Sequence, residues 1–195
     1  MIYTVAGELV KKTSEFAVIN VGGIGFQVAM PESSLQKLPK LKNKVQVFTY
    51  LHVRENSLEL FGFTSEEELE LFEALISVNG VGPKTGLNIM SVANYKSLVA
   101  AINEGKSELI SKASGVGKKT AQRIAIELKG KLGVEDGART VSLLESDMDL
   151  VETLVSLGYS KNDAREVISK IDPKITSFNE RLKEALKSAN KKALR

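Results

Sequence analysis

The stretch NGVGPKTGLNI (79–89) decides how this chain is read, because it returns 35 residues later as SGVGKKTAQRI (114–124). The copies share Gly, Val, Gly, Lys, Thr and Ile at the same places, which marks an internal repeat. Each lies between apolar segments of helical character: LFEALISV (71–78) or LVAAINEGKSELISKA (98–113) before it, KTGLNIM (84–90) or KTAQRIAIEL (119–128) after it. The unit is a helix, a Gly-apolar-Gly hairpin and a second helix, present twice.

Such a hairpin has a mechanism. Glycines permit a tight turn that leaves backbone N–H groups free at the start of the second helix, where the helix dipole favours an anionic oxygen. Val81 and Val116 plug the turns into their helix pairs. Lys84, Lys118 and Lys119 add positive charge, and Arg123 follows about one helical turn on. The expected ligand is backbone phosphate of a nucleic acid, read without regard to sequence. The candidate contact set is Asn79, Gly80, Val81, Gly82, Lys84 and Thr85 from the first copy, with Gly115, Val116, Gly117, Lys118, Lys119, Thr120 and Arg123 from the second. A plainer reading, interhelical turns with glycine C-caps, accounts for one copy but not for lysine at the same place in both.

Two nucleotide-loop readings fail. In G-x-x-x-x-G-K-[ST], the position after Gly117-Lys118 is Lys119 and the first glycine would be Lys112. In G-x-G-x-x-G, Gly80 and Gly82 are followed by Thr85, with Gly86 one place late. Neither turn follows a strand.

Outward from the repeat, TSEEELELFEALISVNG (64–80) opens with a capping pattern, Thr64 or Ser65 before Glu67 or Glu68, and sets Leu69, Phe72, Leu75 and Ile76 on one stripe. Residues 1–63 read as strands. In KVQVFTYLHV (44–53), Val45, Val47, Thr49, Leu51 and Val53 alternate with Gln46, Phe48, Tyr50 and His52, and VGGIG (21–25) is a glycine turn between strands. A small barrel of oligonucleotide-binding type is expected there. Residues 134–149 hold five acids against one base, and 134–146 read as a flexible acidic linker. Three helical stretches follow in 147–195, with Leu150, Leu154, Leu157, Ala164, Val167, Ile168 and Ile171 as apolar stripes; the residues alone favour core positions for Leu157 and Tyr159. The expected class is α+β and multidomain: an OB-like β-barrel (1–63), an all-α tandem helix-hairpin-helix domain (64–133), the linker, and a small three-helix, UBA-like domain (147–195).

Composition narrows the chemistry. With no cysteine, thiolate zinc sites and thiol nucleophiles are excluded, and the single histidine, His52, has no second histidine for a metal or Ser/His/Asp site. His52 reads as a strand residue. No apolar run reaches a membrane span, and MIYTVAGELVKK carries its charges after its apolar stretch, which points to a cytoplasmic address. Neither a catalytic residue, a metal nor a cofactor is expected.

The order of parts is more specific still. MIYTVAGEL (1–9), VGGIGFQVAMP (21–31), FTYLHVRENSLELFGF (48–63), the paired hairpins, the acidic tether and LVSLGYSKNDA (154–164) together resemble the RuvA family of Holliday-junction branch-migration subunits over essentially the whole chain. The resemblance implies a homotetramer, or an octamer on DNA, that holds a four-way junction open. It implies no motor of its own: the RuvB ATPase drives migration and docks on the C-terminal domain, and RuvC resolvase is a further partner. It also implies an acidic pin between two barrel strands, commonly Arg-Glu-Asp in the family and here Arg54-Glu55-Asn56, so one of the two customary negative charges is missing.

Two other functions fit parts of the sequence. A structure-specific nuclease needs clustered metal-binding acids, and the dense group Glu66, Glu67, Glu68, Glu70 and Glu73 lies at one helix start without a strand-borne acid. A nick or single-strand binder needs aromatic stacking platforms, and the barrel is poor in aromatic and basic residues.

Overall fold

The computed structural model describes residues 2–133, 137–172, 175 and 177–193. The chain forms two compact units, Met1–Glu135 and Asp136–Arg195.

The first unit begins with β1 (Thr4–Lys12), β2 (Phe16–Val21), β3 (Ile24–Ala29), α1 (Glu32–Lys37), β4 (Lys44–Arg54) and β5 (Ser57–Phe63). The strands close into a barrel in the order β1-β2-β3-β5-β4. Neighbours are antiparallel except β3 and β5, which run parallel through Val28–Leu60 and Ala29–Phe61. Both faces of β4 are used. Val47 and Thr49 are buried and Val45 and Leu51 line the barrel core with Val5, Leu9, Ile19 and Val28, while Phe48 and Tyr50 on the other face pack with Phe61, Phe63 and Phe72 of the helical part. Val53, on the inward-facing set by alternation, is exposed because it sits where the β4–β5 hairpin leaves the barrel.

The helical part holds α2 (Glu66–Ser77), α3 (Pro83–Met90), α4 (Tyr95–Asn103), α5 (Ser107–Ile110) and α6 (Lys118–Leu128). Ser65 caps α2, its side chain accepting from the Glu68 N–H. The Glu68 carboxylate answers by accepting from the N–H of Thr64, the residue before the cap, at 2.9 Å, a shifted relative of the capping box. The segment read as one helix over 98–113 is two: Lys106 N–H closes onto Ala101 O at 2.8 Å around Gly105, so α4 ends and the short α5 leads into the second hairpin.

α1 fixes the barrel to these helices. Glu68, nearly inaccessible, accepts from Ser34 Oγ at 3.0 Å, Lys37 Nζ at 2.9 Å and Thr64 Oγ1 at 2.8 Å. Burial raises its pKa, but the Lys37 contact and the Thr64 N–H and hydroxyl outweigh that and hold the carboxyl below its ordinary value.

The second unit holds α7 (Gly137–Ser156), α8 (Lys161–Ile168) and α9 (Phe178–Ala193) around Leu150, Leu154, Ala164, Val167, Ile168, Ile171 and Ala185. The expected linker 134–146 is not realised as one: 134–136 lie outside the described residues, and from Gly137 the chain is helical. After Gly137 this stretch has no glycine or proline through Ser156, so its charge and small side chains do not break a helix. Between α8 and α9, Pro173, Lys174 and Thr176 lie outside the described residues. Leu157 departs from its expected core position and is 58% exposed, while Tyr159 packs against the core. The cause is the helix end: Tyr159 N–H bonds Leu154 O at 3.1 Å and Gly158 N–H bonds Val155 O at 3.0 Å, a closure that turns Tyr159 inward and leaves Leu157 outside.

Candidate nucleic-acid interface

The repeat seen in the sequence is also a repeat of geometry. In the first turn Val81 N–H bonds Val78 O at 3.0 Å, and in the second Val116 N–H bonds Ala113 O at 3.1 Å. Gly80 has φ +91° and Gly115 φ +83°, the left-handed region in which a side chain is strained. Gly86 N–H bonds Gly82 O at 2.9 Å to open α3, and Ala121 N–H bonds Gly117 O at 3.0 Å to open α6. Val81 and Val116, 6% and 8% exposed, plug the turns as expected.

The two hairpins are locked to each other by a reciprocal pair. Arg123 Nη1 donates to Asn79 O at 3.0 Å, and Asn88 Nδ2 donates to Ser114 O at 3.0 Å. Asn88 and Arg123 are equivalent positions of the repeat, as are Asn79 and Ser114, so each α-helix reaches the other copy's turn. Arg123 is thus engaged with the protein, and its Nε also lies 4.0 Å from Glu127. Sequence reasoning missed Asn88; the signal was available, since Asn88 aligns with Arg123 and both can donate to a carbonyl.

Electrostatics set these two helix starts apart. Ser65, Asn94 and Ser160 cap α2, α4 and α8 with side chains, whereas α3 and α6 start at Gly82 and Gly117 with no side-chain cap. Neither has an acid in its first turn, where the dipole favours one; Lys84, Lys118 and Lys119 stand there instead. Among the described residues these lysines have no ion-pair partner, and all three are exposed. Gly82 (φ −89°) and Gly117 (φ −81°) have backbones any residue can adopt, and a Cβ on either would meet no protein atom within 4 Å. The protein's own packing thus does not require glycine at either place. The exposed surface can therefore hold two anionic oxygens, one per helix start, with Asn79, Gly80, Thr85, Gly115 and Thr120 at the rims.

The barrel hairpin joins the first of these sites. Arg54 pairs with Ser57 across the β4–β5 turn, so Glu55 and Asn56 form its exposed tip. Arg54, Ser57 and Glu59 line one side of a groove of about 340 Å³ whose other side is Gly82, Pro83, Lys84 and Thr85. Cations and a carboxylate thus share one channel. Among the described residues no three His, Asp or Glu side chains gather as a metal ligand set, and no helix is long and apolar enough to cross a membrane.

Residues 1–62 match the family described as RuvA N terminal domain, 72–130 the SAM-like helix-hairpin-helix tandem, and 148–190 the RuvA C-terminal domain. The chain is 45% identical over 194 residues to the Holliday junction branch migration complex subunit RuvA of Dehalococcoides mccartyi, covering 98% of this chain and 100% of the relative. It is 40% identical over 192 residues to the RuvA subunit of Caldanaerobacter subterraneus and 37% identical over 191 to that of Polaromonas sp., with the same coverage in each case. A five-stranded barrel, tandem hairpins locked copy to copy and a separate helical unit, matched along the full length by these relatives, place this chain in the RuvA family.

Proposed function

We propose that this chain is a scaffold that binds four-way junction DNA for branch migration and carries no reaction of its own. The observation that carries the reading is the pair of uncapped, lysine-bearing helix starts held together by the Arg123–Asn79 and Asn88–Ser114 hydrogen bonds. Such a pair grips two backbone phosphates in one register and is indifferent to base sequence. Residues 64–133 supply this grip, 1–63 present the hairpin tip beside it, and 147–195 dock the RuvB ATPase, for which exposed Leu157 is a natural contact. The working assembly is a tetramer, or an octamer on DNA, in the cytoplasm, with RuvC as a further partner. A nuclease reading draws no support from the acids of α2, because Glu68 is committed to Ser34, Lys37 and Thr64.

Glu55 and Asn56 act as a pin of reduced charge. A carboxylate beside converging phosphates repels them and discourages tight binding of plain duplex, while an amide cannot repel. Competition binding of a synthetic junction and a linear duplex of the same arms tests both claims. The wild type prefers the junction; Asn56→Asp raises that preference about threefold and Glu55→Gln lowers it about as much. Equal binding of both DNAs by the wild type defeats the junction role, and unchanged preference in both variants removes the pin.

A further inference from the structure

The groove beside the first hairpin has a second cationic wall. Arg54 Nε donates to His52 Nε2 at 2.8 Å. That bond requires a neutral imidazole with its proton on Nδ1, and it leaves both Nη groups of Arg54 free. His52 is itself fixed. Its ring stacks on Tyr50 with centroids 6.2 Å apart and meets Phe61 edge-on at 6.4 Å. Tyr50 and Phe61 in turn pack on Phe72 of α2 at 5.6 and 5.5 Å. The aromatic ladder therefore ties Arg54 to the helix that enters the first hairpin, and an exposed arginine at a strand end is held in one place rather than sweeping through solvent. Glu59 is the cross-strand neighbour of His52 and lines the same groove, with Lys84 on the far side. The local charge is thus two cations against one carboxylate.

We propose that Arg54 is a phosphate-binding residue of this groove and that His52 is its positioning residue. The inference rests on the DNA-binding reading and extends it from the helical hairpins to the barrel. A guanidinium with its Nε restrained presents its terminal fork to a phosphate with little further loss of side-chain freedom. A strand passing along the groove is then held from two sides, by Lys84 and by Arg54.

The test is junction binding by the full-length protein across a salt series, with Arg54→Gln, His52→Val, His52→Gln, the double variant Arg54→Gln/His52→Val, and Lys84→Ala. Arg54→Gln weakens binding roughly fivefold and makes the slope of log K against log salt shallower by about 0.9 per protomer, since each protomer neutralises one phosphate fewer. His52→Val gives most of the same loss. His52→Gln, whose amide oxygen can accept from Nε, stays within about twofold of the wild type, and the double variant is no weaker than Arg54→Gln alone. A merely structural histidine would not be rescued by glutamine and would add its loss to that of Arg54. Unchanged binding in Arg54→Gln while Lys84→Ala weakens it overturns this inference alone; no loss in either variant defeats the DNA reading of the groove as well. His52→Gln as weak as His52→Val removes the positioning role.

Discussion

Gly82→Ala combined with Gly117→Ala leaves the fold intact and lowers junction affinity by about a hundredfold, the equivalent of two charge-assisted hydrogen bonds of about 1.5 kcal/mol each. What a methyl group would touch decides the matter. At both positions the backbone is extended, and an added Cβ has no protein atom within 4 Å, so stability changes by no more than about 1 kcal/mol, the cost of alanine for glycine at an N-cap. The same methyl groups occupy the space through which a phosphate must come to reach the first-turn N–H groups. Gly80 and Gly115 behave differently, since their positive φ makes alanine a strain on the turn itself. Urea unfolding and junction titration on the same preparation separate the two effects; a double variant that folds normally and binds like the wild type shows that phosphate does not approach there.

Glu68→Ala destabilises the first unit by about 3 kcal/mol, because it strips buried Ser34 Oγ and the Thr64 N–H and hydroxyl of their acceptor together with Lys37 of its partner. The effect depends on pH with a definite sign. The folded carboxyl titrates below its ordinary 4.5, so its contribution is complete above that value and is lost as the pH falls through the folded pKa. Denaturant midpoints of the wild type and Glu68→Gln therefore differ at pH 7 and converge in acid. A gap that stays constant with pH shows that the ionised carboxylate is not what holds α1 to α2. Function follows from the same contact, since α1 helps fix the barrel, and with it the Glu55–Asn56 tip, beside the first hairpin.

Much of this architecture was legible in the residues, for physical reasons that differ by region. The hairpins declared themselves because a left-handed turn demands glycine and the plug demands an apolar residue, and both demands recur 35 positions on. The barrel strands followed from alternation, although alternation alone does not show that the even face of β4 is a second packing surface. Helix ends were harder to read. The break at Gly105 and the turn at Gly158 are decided by backbone closures, Lys106 to Ala101 and Tyr159 to Leu154, that side-chain periodicity does not register. The start of α7 was hidden by composition, since acidic and small residues suit a tether and a solvated helix equally well. In the candidate site, charge and glycine spacing pointed to the lysines but not to the role of Arg123, whose guanidinium holds the Asn79 carbonyl, nor to Asn88 or the His52–Arg54 pair. The Arg123 and Asn88 contacts depend on which turns lie side by side in space, and the His52–Arg54 bond on how two side chains on one face of β4 turn toward each other.

The measurement that bears most directly on DNA binding by the paired hairpins is a titration of a synthetic four-way junction, with competitor duplex present and at two salt concentrations, by the wild type and by Lys84→Ala/Lys119→Ala. These lysines occupy the same place in the two copies, and neither has an ion-pair partner among the described residues. Their removal takes one cation from each of the two helix starts and leaves the fold untouched. The wild type is expected to bind the junction in the presence of competitor, and the double variant to lose at least about thirtyfold in affinity, with a salt slope shallower by about 1.8 per protomer. A double variant with wild-type affinity and an unchanged slope would contradict this, because the paired hairpins would then not be where this protein holds DNA.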